Sequence, residues 1–400
     1  MILVNPACGA QPIRRRAAEA GGGSDTLAGM SPSIVIAPDS FKGSLSAREV
    51  ADAIAAGWRS VSPGDDLALV PQADGGEGTI DAVESAVPGS VRRSAGLVTG
   101  PDGRPTPGEW LQLPSGAAVV ELASSSGLPL MHAPDPLGAS TRGLGEVIRA
   151  ALEAGATSLV IGLGGSASTD GGAGALAALG LRLTDASGAP LPDGGAALAD
   201  VAGVNRSDLL PAPAGGVTLL SDVTAPLLGP TGAAAVFGPQ KGASAVDVAT
   251  LDAALSRFAG ALGGDPDLPG SGAAGGTGFG FSAAWGATLE SGADYLAVLS
   301  GLGAAIDGAD VLILGEGRFD SQSLGGKVVG QLLQRAEERA VRPGVIAGQV
   351  TAIAVVNGER VWTTALVDLA GSVEAAIAEP ERWLREAGAA AARHFATVSP

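Results

Sequence analysis

The sequence predicts an α/β protein: a flavodoxin-like, doubly wound parallel sheet interrupted by an inserted mixed-sheet α/β domain, with an active-site cleft between the two. Three observations predict it. Short apolar runs at 34–37 and 67–70 each stop in a polar loop, and helical patterns alternate with them. The same pattern returns after residue 310, at 311–314. Between them, about 87–294, the texture changes to closely spaced extended segments and glycine-rich loops. We therefore expect residues 32–86 and 295–400 to form one discontinuous domain and 87–294 to be inserted in it.

The elements follow in order. Residues 1–31 hold Gly21-Gly22-Gly23-Ser24 and no apolar period, and read as a disordered extension. Ile34-Val35-Ile36-Ala37 is apolar throughout, as a strand covered on both faces requires. It breaks at Pro38 and enters Asp39-Ser40-Phe41-Lys42-Gly43-Ser44. Ser46 and Glu49 then have capping-box spacing, which starts a helix over about 46–59. The run 67–70 ends at Pro71-Gln72-Ala73-Asp74-Gly75-Gly76-Glu77. Segment 92–122 carries Pro-Asp-Gly-Arg-Pro and Pro-Ser-Gly turns, the mark of antiparallel strands. A helix over 140–154 leads to a strand at 158–161, a glycine loop from Gly162 to Gly174, and a helix to Leu179. Another run, 217–220, ends at Ser221-Asp222. After 311–314 come Gly315-Glu316-Gly317-Arg318-Phe319-Asp320, a helix over about 326–340, strands at 345–347, 352–356 and 364–367, and a closing helix over 380–395.

Composition removes several chemistries. The net charge is -17 and the only basic cluster is Arg14-Arg15-Arg16, so no nucleic-acid surface is expected. There is one cysteine, Cys8, and two histidines, His132 and His394, far apart. Zinc ligation, Cys–His acyl transfer and a Ser–His–Asp triad lose their support. Segment 268–289 has no charge, but its glycines and Pro269 argue for a buried or substrate-facing loop region and against a membrane span. No basic n-region precedes the first apolar residues, and a cytoplasmic protein, monomer or homodimer, is the expectation.

Five apolar runs end in polar loops: Asp39/Lys42, Asp74/Glu77, Asp170, Asp222, and Glu316/Arg318/Asp320. One such acid is ordinarily a turn former. Five together point to a site, because ligands bind at the carboxyl ends of strands in open α/β sheets. Gly162-Leu163-Gly164-Gly165-Ser166-Ala167 fits a loose GxGxxA pattern, with Asp185 near the spacing of a ribose-binding acid. It serves equally as a backbone cradle for phosphates. Gly326-Lys327 is not a P-loop lysine, and Lys327 reads as a surface or helix-start charge. Lys241, in Gly238-Pro239-Gln240-Lys241-Gly242, is as readily a solvated turn as a phosphate contact. Phosphoryl transfer suits this inventory, since it needs cations, carboxylates for Mg²⁺ and loop amides, and neither histidine nor cysteine.

The segments VIAPDSFKGSLSAREVADAI, PQADGGEGTIDA, GLGGSASTDGGAGALAALG, SDVTAPLLGPTGAAAVFGPQKGA, GAAGGTGFG and LILGEGRFDSQSLGGKVV resemble the glycerate kinase family of the bacterial two-domain type, in the family's order. The resemblance runs from about Ser33 to the C-terminal helix. It implies ATP-dependent phosphorylation of D-glycerate with Mg²⁺, and similarity to enzymes that make 2-phosphoglycerate. On that footing Ser40, Lys42 and Arg318, with Glu316 nearby, are expected to hold the glycerate carboxylate or the moving phosphoryl group. Gly164, Gly165, Ser166 and Ser168 are expected to receive ATP phosphates. Asp74 and Asp222 are the candidate Mg²⁺ ligands. Lys42, Asp170 and Asp320 are the catalytic candidates, the two acids to orient or deprotonate the attacking hydroxyl. The competing readings are 3-phosphoglycerate as product, an NAD-dependent dehydrogenase of a small hydroxy acid, and a non-catalytic hydroxy-acid sensor.

Overall fold

The structure, a computed structural model, describes residues 32–41, 43–324 and 328–397. The expected extension 1–31, Lys42 and Lys327 lie outside the described residues. The described chain forms two compact units. One comprises Asp74–Ile80 and Pro88–Tyr295; the other holds the residues up to Ala73, Asp81–Val87 and those from Leu296 onward.

In the second of these, five strands form a wholly parallel sheet in the order Asp66–Leu69, Ser33–Pro38, Val311–Phe319, Arg342–Val350, Trp362–Ala365. Numbered along the chain, that order is 2-1-3-4-5, the flavodoxin-like winding. Ser33–Pro38 is buried at every position, which is why it carries no alternation. The capping box is present: the Glu49 amide donates to the Ser46 hydroxyl, and the Ser46 amide donates to the Glu49 carboxylate, starting helix Ala47–Val61. That helix packs on the closing helix Pro380–Ala396, with Trp58 stacked on Phe395 at 6.2 Å.

Two expectations shift here. The run 352–356 yields only Val355–Val356, paired antiparallel with Glu359–Arg360. Asn357 and Gly358 both take positive φ, the tight turn that folds these residues back as a hairpin. The run 364–367 begins the sheet strand two residues earlier and gives way at Leu366 to a short helix.

The other unit contains a six-stranded mixed sheet in the order Thr288–Glu290, Val217–Leu220, Ser158–Gly162, Ala117–Glu121, Pro105–Gln112, Val91–Thr99. The first four are parallel and the last two antiparallel, as the Pro/Gly turns of 92–122 predict. Helices Arg142–Glu153, Ala173–Ala178 and Ala245–Leu262 bury Leu144, Leu176, Leu255 and Phe258 with the sheet.

Segment 268–289 is chiefly helical (Ala273–Trp285), which corrects its reading as a loop region. Gly275 and Gly276, with Ala274, leave helical geometry and kink it near its start. They admit close packing, since a Cβ at Gly275 would lie 2.1 Å from the Ser168 carbonyl oxygen. The helix enters through Ala274, Gly275 and Gly276, all left-handed. No helix among the described residues is long and apolar enough to cross a membrane.

Candidate active site

In the five-stranded unit the sheet reverses its winding between Ser33–Pro38 and Val311–Phe319, and crevices open at such switch points. The last pairing there is Pro38 with Gly315, closed by a 2.8 Å hydrogen bond from the Asp39 amide to the Gly315 carbonyl. That places 39–40 beside the start of 316–320. The Asp39 carboxylate accepts from the Ser40 amide, and Phe41 and Leu45 exchange backbone hydrogen bonds that close the turn. The Ser40 hydroxyl is buried and meets no hydrogen-bond partner among the described residues. Arg318 is largely exposed, with its Nε 3.5 Å from the Asp320 carboxylate. Asp320 also accepts from the amides of Gln322 and Ser323, so it caps the turn Ser321–Leu324 while facing Arg318. The strand does not give way to a loop after Leu314 as expected: it runs on to Phe319, with Glu316, half-buried, opposite Ala347 and Arg318 opposite Gln349. Ser40, Glu316, Arg318 and Asp320 thus lie toward the same, carboxyl end of this sheet.

In the unit with the mixed sheet, three loops interlock at the carboxyl ends of the parallel strands. The Gly164 amide donates to the Gly75 carbonyl at 3.1 Å, and a Cβ on Gly164 would stand 2.5 Å from the Gly76 Cα. Gly75 in turn lies against the Leu220 backbone, and Gly292 against Asp74. Asp74 and Asp222 are therefore neighbours. The pKa of Asp222 is pushed up, first because its carboxyl loses solvent against these loops and then because the Asp74 carboxylate repels its charge. Hydrogen bonds from the Ser291 hydroxyl and the Gly292 and Ala293 amides oppose that rise. Among the described residues no cluster of three or more His, Cys, Asp or Glu could hold a metal ion. Two carboxylates still fit Mg²⁺, which keeps several waters and takes further oxygens from substrate phosphates.

The loop after strand Ser158–Gly162 exposes Gly165 and half-exposes Gly164, while residues 166–170 are buried. Ser166 and Ser168 point their hydroxyls inward. The Ser166 oxygen accepts from Lys241 at 2.8 Å, and the Ser168 hydroxyl donates to Asp170 at 3.1 Å. Only the tip at Gly164 and Gly165 is open to a ligand. Asp170 is fully buried and accepts from the Thr141 amide and hydroxyl, the Ser168 hydroxyl and the amides of Gly172 and Gly174. Both of its oxygens are engaged in shaping the loop.

Lys241 is the residue the sequence reading missed. It is neither solvated nor open to phosphate: it is 2% exposed, and its ammonium also donates to the Ser168 carbonyl. Burial pushes its pKa down to about 8, against the opposing pull of the Asp170 charge. A signal existed. Lys42, Lys241 and Lys327 are the chain's three lysines and each adjoins a glycine, while arginine supplies every other side-chain cation apart from the two histidines. Asp185, the supposed ribose acid, sits in an exposed turn and accepts from Ser187 and Ala189. The glycine loop also runs on through 166–172 before helix Ala173–Ala178 begins, which removes the dinucleotide geometry.

The chain is similar to known proteins over most of its length. The model of the glycerate kinase family matches residues 34–396. Glycerate 2-kinase of Escherichia coli (strain K12) is 46% identical over 304 residues, covering 74% of this chain and 79% of that protein. Glycerate kinase of Bacillus subtilis (strain 168) is 44% identical over 328 residues, covering 80% and 85%. A solved structure from Salmonella typhimurium LT2 that carries the glycerate kinase 2 name superposes with a TM-score of 0.74 at 37% identity, over 92% of this chain and 99% of that one. The chain belongs to the glycerate kinase family, and its enzyme class is that of the phosphotransferases.

Proposed function

We propose that this glycerate kinase family member transfers the γ-phosphoryl group of Mg-ATP to the 2-hydroxyl of D-glycerate, giving 2-phosphoglycerate and ADP. The observation that carries the reading is that Asp74 meets Gly164 and Asp222, which follow the neighbouring parallel strands Ser158–Gly162 and Val217–Leu220. An open glycine tip beside two carboxylates is what a metal-bound polyphosphate requires. The preference for the 2-hydroxyl comes from the name of the Escherichia coli relative.

The residues divide as follows. The Gly165 amide takes a phosphate oxygen, while Gly164, whose amide is held by Gly75, lets the phosphates approach the backbone closely. Asp74 and Asp222 hold Mg²⁺, which supplies charge neutralisation when bound. Arg318, oriented by Asp320, takes the glycerate carboxylate as a two-pronged donor, and Ser40 adds its unpartnered hydroxyl. Lys42 keeps its role as a cation for the moving phosphoryl group.

Asp170 is reassigned from base to loop former, because a carboxylate with five donors around it has no oxygen left for a substrate hydroxyl. The loose transition state of phosphoryl transfer asks little of a base in any case.

The test is to incubate the protein with D-glycerate and Mg-ATP, follow ADP release, and identify the product by phosphorus NMR. The 2-phosphate is expected. The 3-phosphate would correct the regiochemistry, and no ADP above background would end the kinase reading.

A further inference from the structure

Lys241 contacts no position at which the proposed chemistry needs a side chain, yet it is buried in the unit that holds the glycine loop. Its ammonium reaches 75 residues back to Ser166 and 73 back to Ser168. Burying an ammonium is costly, and an unbranched apolar residue of similar volume would fill the same space. A purely structural peg would not need the charge. The contacts show what the charge does.

One flank of the loop is already fixed by backbone pairing. The Leu128 amide donates to the Gly165 carbonyl and the Ala167 amide donates to the Ser126 carbonyl. The other flank has Lys241, on the Ser166 hydroxyl and the Ser168 carbonyl. Beyond Ser168, Asp170 gathers Thr141 and the amides of Gly172 and Gly174. Both flanks are held while the tip stays open, with Gly165 left-handed at φ 79°. A preorganised anion cradle has this form, since its amides must already point outward before the ligand arrives.

We propose that Lys241 is a positioning residue for the nucleotide-binding loop: a buried cation that fixes residues 166–168 from beneath and is retained for the shape of that loop, not for the stability of the fold. The proposal rests on the reading that Gly164 and Gly165 receive nucleotide phosphates. Asp170 is the charge that acts on Lys241, and it favours the protonated form. On the adjoining side, Pro134 and Pro136 pack against Gly242, and the Asp135 carboxylate between them accepts the Gly138 amide. Lys241 carries its charge at neutral pH and gives it up as pH rises past about 8.

The experiment compares wild type with Lys241→Met in the full-length protein. Hydrogen exchange without ligand, normalised to intrinsic rates, should show peptides covering 163–171 opening at least about tenfold faster in the variant, with the rest unchanged. Its melting temperature should stay level or rise. KM for Mg-ATP should increase about tenfold or more, with KM for D-glycerate held. In wild type, KM for Mg-ATP should climb above pH 8, and that limb should vanish in the variant.

Unchanged exchange in the loop would overturn the proposal. So would protection lost evenly across the protein together with a lowered melting temperature and an unaltered KM per folded molecule. A wild-type protein that releases no ADP would remove the kinase reading, and the exchange result would still decide whether Lys241 holds the loop.

Discussion

The two compact units treat charge in opposite ways. In the five-stranded unit the functional candidates sit at the ends of a buried sheet, with Arg318 exposed and Asp320 half-buried beside it. In the unit with the mixed sheet, Lys241 and Asp170 are sealed inside and touch only the chain itself. An exposed charge can meet a substrate directly and adds little to stability. A buried charge cannot reach a substrate, and can act only by shaping the backbone that does. The loop carboxylates Asp74 and Asp222 stand between these extremes, crowded but not enclosed.

That contrast can be broken by experiment. The largest effect is expected at the carboxylate pair. Asp222→Asn should lower kcat by about 10²–10³, comparable to deleting one electrostatic stabiliser of a transition state, with little change in melting temperature. A tenfold excess of Mg²⁺ should recover part of the loss, and a variant with wild-type kcat would remove Asp222 from the metal site.

Next comes the stability of the fold against pH. The pKa of Lys241 falls from 10.5 in the unfolded chain to about 8 in the folded one. Between those values the unfolded state binds more protons, so stability rises with pH across that window. The full gain is about 3 kcal/mol, from roughly 1.4 kcal/mol per pKa unit. Denaturant titrations at pH 7.5 and 10 should show part of this gain in wild type and none of it in Lys241→Met. A wild-type curve that falls relative to the variant would reverse the sign and refute the assignment. Stability and nucleotide affinity thus move in opposite directions as Lys241 loses its proton.

Arg318→Ala should raise KM for D-glycerate by the loss of a charge-assisted contact worth about 2 kcal/mol, near thirtyfold. Because the side chain is exposed and its pairing with Asp320 loose, melting temperature should scarcely move. A matching increase in KM for Mg-ATP would place Arg318 on the nucleotide instead. The smallest effect is expected at Ser46→Ala, which removes the capping box of helix Ala47–Val61 and costs about 1 kcal/mol of stability. Both KM values should be unaffected; a kinetic change would mean that the cap also orders the neighbouring 39–45 loop.

The legible parts of the fold were those set by local pattern. Ser33–Pro38 announced itself because burial on both faces leaves the run 34–37 wholly apolar. The Ser46/Glu49 box marked the start of its helix to within a residue. The glycine loop was legible as a candidate cradle, but the direction of its hydroxyls was not. Ser166 and Ser168 turn inward because Lys241 and Asp170, far off in sequence or packed beneath, offer them partners there. In the same way Gly275 and Gly276 read as loop formers; they are left-handed at the kink in Ala273–Trp285, and only their close approach to Ser168 and Gly171 shows why glycine is needed there.

By itself the sequence determined the α/β class, the polar strand ends, the scarcity of histidine and cysteine, and the resemblance to glycerate kinases. These follow from composition, short-range periodicity and ordered motifs, all written within a few tens of residues. Only the tertiary structure decided that Asp74 faces Asp222, that Asp170 is a loop former, and that Lys241 lies under the glycine loop. The reason is physical. Whether a charge is solvated, paired or buried depends on which distant segments pack around it, and burial is what changes a lysine from a surface cation into a strut.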